Sequence, residues 1–267
     1  MEGLGCRLRS PSTFHTLVIR QQRHPERTPA SRAPHAPRHP RGAAGMTVTS
    51  TLTRPHLDLS LYLVTISLDE RDDDRIVATC QAAVEGGATL IQLRDKHATT
   101  EQRSALARRI IDAIGRAVPV LVNDDINAAI AADAEGAHIG QDDLPPTVAR
   151  QRLGPDRLLG LSVHNDAELD YALAQPAGTL DYIGLGAVYP TQTKEVKVLG
   201  IDGLRHLAAR AHAHGLPCVA IGGIGGERLS DIATTEADGI AVVSAICAQP
   251  DPAAAAKALL TRWKQAH

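Results

Sequence analysis

The stretch Leu61-Tyr-Leu-Val-Thr-Ile66 is almost unbroken in apolar and β-branched character, and runs of its kind recur down the chain at 89–94, 119–123, 137–140, 158–163, 182–187, 217–222 and 239–244. A strand that is apolar throughout is buried on both faces, as in a parallel sheet with helices outside it. Between the runs the spacing changes to three and four, as in 101–115 (Leu106, Ile110, Ile111, Ile114) and again in 203–214, which predicts helices. Strand followed by helix, repeated, predicts an α/β protein with a parallel sheet. An open doubly wound sheet would share that alternation. Even spacing, a count of eight and polar residues just after nearly every run favour closure into a single (β/α)8 TIM barrel, and 267 residues is close to the size at which such a barrel closes as one unit.

The barrel is expected over residues 57–267. Residues 1–56 carry Pro, Arg and His in bursts such as Arg32-Ala-Pro-His-Ala-Pro-Arg38-His-Pro-Arg41, without a sustained apolar period, and are expected to form a disordered extension. They hold no apolar segment of a secretory signal, and their proline density works against the amphipathic helix of a transit peptide, so Met46 reads as the working start of translation. A cytoplasmic location follows from that reading.

Composition removes several function classes. Hydrophobic residues at 43% and charged residues at 22% are ordinary for a globular protein, and no stretch has the run of about 18 apolar residues that a membrane span needs. The formal charge of −2 hides an asymmetry, because much of the arginine lies before Met46 and the remaining body is clearly acidic. An acidic body is a poor partner for a phosphate backbone, and aromatics at 2% leave little for base stacking. Cys6, Cys80, Cys218 and Cys247 are far apart and form no CxxC pair, which argues against a disulfide framework or a thiolate metal centre.

In a barrel of this type the site is built at the carboxyl ends of the strands, so the residues after each run carry the chemistry. After the second run comes Gln92-Leu-Arg-Asp-Lys96, where Arg94 and Lys96 fall on one face and could grip a diphosphate, one as a fork and one as a point charge; taken alone, a solvated charge run is an equal reading. After the third and fourth runs come Asn123-Asp124-Asp125 and Gln141-Asp142-Asp143. Hard oxygen ligands at neighbouring strand ends, beside a cationic clamp, suit Mg²⁺, with Asp124 and Asp143 as ligands. Asp125 and Asp142 are expected to serve only as helix N-caps or as partners of a helix dipole. Ser162 could hydrogen-bond a substrate, though a lone strand serine is commonly satisfied locally. The loop Thr191-Gln192-Thr193-Lys194 offers hydroxyls and an ammonium to an anion. Gly222-Gly223 after the seventh run, with Val243-Ser244 after the eighth, could admit a phosphate, or could simply be turn glycines with positive φ. His138 and His164 are candidate bases, yet no Ser-His-Asp order and no His cluster emerges.

Taken in order, Gln92 to Lys96, Val122-Asn-Asp-Asp125, His138-Ile-Gly-Gln-Asp-Asp143, Gly160-Leu-Ser-Val-His164, Gly184-Leu-Gly, Thr191 to Lys194 and Ile221-Gly-Gly-Ile224 resemble thiamine-phosphate synthases, from about Leu61 to Ala245. The resemblance implies displacement of pyrophosphate from an aminopyrimidine methylene by a thiazole nitrogen, through a cation-like intermediate. It implies that Gln92, Leu93, Arg94, Asp95, Lys96, Asn123, Ser162 and Lys194 contact the pyrimidine diphosphate, that Asp124 and Asp143 bind Mg²⁺, and that Thr191, Gln192, Thr193, Gly223, Val243 and Ser244 hold the thiazole phosphate. Catalysis would rest on Arg94, Lys96, Lys194 and Ser162. The partners implied are these two small molecules, with neither nucleic acid nor membrane, and with a homo-oligomer left open. The extension before Met46 has no counterpart in that pattern, and Glu195-Val-Lys-Val-Leu-Gly200 does not yield to a detailed reading. Two rivals remain: a thiazole tautomerase on the same barrel, using His164 without metal, and a non-catalytic sensor of phosphorylated ligands.

Overall fold

The structure, a computed structural model, describes residues 54–67, 72–190 and 198–267. Its elements are β1 (Leu61–Val64), α1 (Asp73–Glu85), β2 (Leu90–Leu93), α2 (Thr100–Ile114), β3 (Val120–Asn123), α3 (Ile126–Ala132), β4 (Gly136–Ile139), α4 (Pro146–Leu153), β5 (Leu158–Val163), α5 (Asp166–Leu173), β6 (Tyr182–Gly186), α6 (Gly200–Ala213), β7 (Cys218–Ile221), α7 (Leu229–Ile232), β8 (Gly239–Val242), α8 (Ser244–Cys247) and α9 (Pro252–Ala266). All eight strands pair in parallel and in sequence order, and β1 pairs with β8 to close the barrel. Each strand lies within one of the expected apolar runs or within a residue of it. Among the described residues no helix is long and apolar enough to cross a membrane.

Because strand side chains alternate, the apolar runs split into two cores. Outward residues such as Leu63, Ile91, Val122, Ile139, Leu161, Leu185, Ala220 and Val242 pack against the helices. Inward residues Tyr62, Val64, Leu90, Leu121, Leu158, Tyr182, Val219 and Ala241 fill the lumen, with Leu57 and Leu59 packed against them from the segment before β1. That segment begins inside the stretch expected to lack structure. Its Arg54 pairs with Asp181 and donates to the carbonyls of Pro155 and Gly178.

At the amino-terminal end of the strands a latch recurs with the period of two βα units. The residue just before each even-numbered strand accepts, through its side chain, a backbone N–H near the start of the preceding odd-numbered strand: Thr89 from Leu61, Glu135 from Val120, Asp181 from Leu159 and Asp238 from Cys218, at 2.7–3.1 Å. The same four residues donate their own N–H back to the same partners' carbonyls. Basic side chains face the three acids: Arg116 faces Glu135, Arg54 and Arg150 face Asp181, and His212 faces Asp238. Hydrogen bonds to charged groups contribute about 1.5–3 kcal/mol each, so this end is where side-chain chemistry serves stability. The buried thiols Cys80, Cys218 and Cys247 are free.

Candidate active site at the mouth of the barrel

At the carboxyl ends of β2, β3 and β4 the polar residues converge. Asp124, the first residue after β3, turns through left-handed backbone (φ 62°), which a short polar side chain tolerates better than most. Its N–H donates to the His138 carbonyl at 2.8 Å. Its carboxyl lies close to that of Asp143 and to the Asn123 side chain, with Arg94 in electrostatic reach. Asp143 is held in turn by the Gly140 N–H, 2.7 Å from Oδ2.

Two carboxyls held this close disfavour each other's ionised form. Burial first, then the Asp143 carboxyl, pushes Asp124 up to about 6, while Arg94 pulls the other way. Burial also lowers the Arg94 guanidinium from its ordinary value, and Asp124 opposes that. Crowded carboxylate oxygens from adjacent strand ends are a donor set that fits a hard divalent cation.

The neighbouring Asp125 has a different environment. It is the N-cap of α3, accepting from the Ala128 N–H at 2.9 Å, and it also accepts from Thr100 Oγ1 and Arg103 Nη1. Burial alone would raise its carboxyl, but these bonds win and hold it below its ordinary value. Asp142 corrects the other half of the capping expectation. The N-cap of α4 is Pro145, which makes no side-chain cap, so Asp142 caps nothing.

The clamp loop after β2 is braced rather than loose. Thr65 Oγ1 accepts from the Arg94 N–H and Ser67 Oγ from the Lys96 N–H, while Arg103 donates to the carbonyls of Asp95 and Ala98. Asp95 Oδ1 accepts from the backbone of His97 and Ala98 and so shapes this turn. Lys96 itself is exposed. The Leu93 side chain is buried in the layer between sheet and helices, on the face opposite the lumen, so its part in this loop is through its backbone. Sequence reasoning missed Arg103, whose signal was its place one turn into α2, opposite the Asp125 cap.

Gln92 and Ser162 face the lumen from opposite sides, and a chain of hydrogen bonds links them. Gln92 Nε2 donates to the Tyr62 hydroxyl, which lies 2.8 Å from the Tyr182 hydroxyl; Tyr182 lies 2.8 Å from His138 Nδ1, and His138 Nε2 lies 3.0 Å from Ser162 Oγ. Burial pushes the His138 imidazole down to about 4, so it is neutral near pH 7. Sequence reasoning missed both tyrosines. Their signal was parity, since Tyr62 and Tyr182 are the inward residues of their strands in a chain with only four tyrosines. His164 sits outside this chain and is paired with Glu168 at 2.7 Å, at the start of α5.

On the far side of the mouth, Gly223 adopts φ 63°, and a Cβ there would lie 2.5 Å from the Pro190 carbonyl oxygen. Close backbone approach and positive φ therefore account for the glycine whether or not it meets a ligand. Arg228 donates to the Gly223 carbonyl and stacks over Tyr189 at 4.1 Å, which brings a cation to this edge. Val243 packs against the lumen cluster and the exposed Ser244 opens α8. Thr191, Gln192, Thr193 and Lys194 lie outside the described residues.

The family model described as thiamine monophosphate synthase matches residues 61–246. A thiamine-phosphate synthase of Vibrio campbellii is 41% identical over 75% of this chain and 96% of that protein, and one of Psychrobacter sp. is 44% identical over 76% and 95%. The solved thiamine phosphate pyrophosphorylase of Pyrococcus furiosus superposes with a TM-score of 0.68 at 32% identity, covering 78% of this chain and 97% of that one. A 3-hexulose-6-phosphate synthase at 17% identity and TM-score 0.58 shares the fold alone. The chain therefore belongs to the thiamine monophosphate synthase family.

Proposed function

We propose that this protein is a Mg²⁺-dependent transferase that joins 4-amino-2-methyl-5-(diphosphooxymethyl)pyrimidine to 4-methyl-5-(2-phosphooxyethyl)thiazole, or its carboxylated tautomer, giving thiamine phosphate and pyrophosphate. The observation that carries the reading is the meeting of Asp124, Asp143 and Arg94 at adjacent strand ends, two crowded carboxyls beside a cation. Gln92, the Arg94–Lys96 loop, Asn123, Ser162 and Lys194 take the pyrimidine diphosphate, and Asp124 and Asp143 take the metal. Thr191, Gln192, Thr193, Gly223, Val243 and Ser244 take the thiazole phosphate, with Arg228 adding charge at that edge. These partners are small molecules of the cytoplasm.

The chemistry asks little of acids or bases. The thiazole nitrogen lone pair bonds to the pyrimidine methylene carbon while the bond from that carbon to the diphosphate oxygen breaks, and the electron pair leaves with pyrophosphate. Arg94 and Lys96 stabilise the negative charge on the leaving group, and the braced loop holds them in place before substrate arrives. Mg²⁺, when bound, would add Lewis-acid stabilisation of that same charge. The meeting of Asp124 and Asp143 beside Arg94 weighs against the tautomerase reading, which needs neither paired carboxylates nor a metal. The test is release of pyrophosphate by purified protein given Mg²⁺ and both substrates. Binding of both without release would leave the sensor reading standing and end this one.

A further inference from the structure

We propose that the lumen chain Gln92, Tyr62, Tyr182, His138, Ser162 is a single hydrogen-bond relay of fixed direction, and that it sets the Ser162 hydroxyl to donate its proton into the mouth of the barrel. The inference rests on reading the mouth as the substrate site, and it adds what orients one of that site's contacts.

The direction follows from counting protons. The amide of Gln92 is turned with Nε2 toward Tyr62, and in that orientation the Tyr62 oxygen accepts from it. The Tyr62 proton then has one acceptor within reach, the Tyr182 oxygen at 2.8 Å. The Tyr182 proton goes to His138 Nδ1, which leaves His138 Nε2 to carry the imidazole proton and donate to Ser162 Oγ. With Gln92 so turned, reversing a middle bond strands the Tyr62 or the Tyr182 proton in an apolar lumen, where an unmade hydrogen bond costs about 1–3 kcal/mol. Ser162 Oγ thus accepts from the relay, and its own proton is left for a ligand acceptor such as a ring nitrogen. The backbone around it is fixed too, because Gln141 Nε2 donates to the Ser162 carbonyl at 2.6 Å.

The lumen is shaped for this relay. A Cβ on Gly160 would lie 2.2 Å from Tyr182 Cζ and 2.5 Å from His138 Nδ1, so a glycine on β5 is what lets the tyrosine and histidine meet. Tyr62, Tyr182 and His138 are fully or almost fully buried, which makes them positioning residues.

Two measurements test the proposal. In the free protein labelled with ¹⁵N-histidine, long-range ¹H–¹⁵N correlation, assigned by loss of one signal in His138→Asn, should show His138 protonated on Nε2 alone. Protonation on Nδ1, or on both nitrogens, at neutral pH would overturn the direction. This result does not depend on turnover, so it separates failure of the relay from failure of the proposed reaction. In the assay, Ser162→Ala and Tyr182→Phe should each raise KM for the pyrimidine diphosphate by about five- to tenfold, the scale of one hydrogen bond, with a melting temperature near wild type for Ser162→Ala and a lowered one for Tyr182→Phe. The double variant should be no worse than Ser162→Ala alone. Losses that multiply, or an unchanged KM in Ser162→Ala, would overturn the proposal.

Discussion

At the amino-terminal end of the barrel, Glu135, Asp181 and Asp238 each accept a strand N–H and each face a basic side chain. At the carboxyl end, Asp124 faces another carboxyl, and burial and Asp143 push it up to about 6. The residue type is the same and the balance is opposite. Paired carboxylates at the foot tie neighbouring strands together, whereas an acid pair at the mouth is unfavourable until a cation arrives. Acids held with their partners missing mark a place built for a ligand. The contrast narrows to adjacent residues in Asp124 and Asp125, whose carboxyls shift in opposite directions.

The largest effect expected from breaking this contrast is at the mouth. Asp124→Asn and Asp143→Asn should each slow pyrophosphate release by roughly two to three orders of magnitude, while the melting temperature of the metal-free protein holds or rises as the acid pair is relieved. At the foot the pattern inverts. Asp181→Asn leaves Arg150, with 13% of its side chain exposed, without its charge partner, and should cost about 3 kcal/mol in denaturant unfolding with the turnover of folded molecules unchanged.

A smaller effect appears in pH dependence. A raised carboxyl such as Asp124 contributes stability that is complete below the ordinary aspartate range and is lost as pH rises through about 6. A lowered one such as Asp125 contributes stability present at neutral pH and lost as pH falls through its depressed value. Stabilisation by Mg²⁺, read as a shift in melting temperature, should therefore grow from pH 5 to pH 7.5, and Asp125→Ala should flatten the acid side of the stability profile without altering that growth. The smallest effect is on the surface: Arg109 pairs with Asp74, whose side chain is 90% exposed, and Arg109→Ala should change stability by less than about 0.5 kcal/mol.

The barrel was legible because its strands are apolar on both faces, which left little choice of element type or boundary. That same property hid the lumen. When both faces are apolar, hydropathy cannot tell Tyr62 from Leu63, so the relay through the tyrosines emerges only once register assigns parity. The mouth acids were legible as pairs, and Asp125 could be read as a cap from its place before an apolar helix. Asp142 misled because Pro145-Pro146 starts α4 without a side-chain cap. Leu93 entered the site through the motif around it, although its side chain belongs to the outer core.

The central claim is that Asp124 and Asp143 are crowded because a cation belongs between them. Calorimetric titration of Mg²⁺ into the protein at pH 7.5 with pyrophosphate present tests it most directly. Binding should be seen in wild type and in Asp125→Ala, and should be lost in both Asp124→Asn and Asp143→Asn. Undiminished binding in either Asp124→Asn or Asp143→Asn would contradict the account.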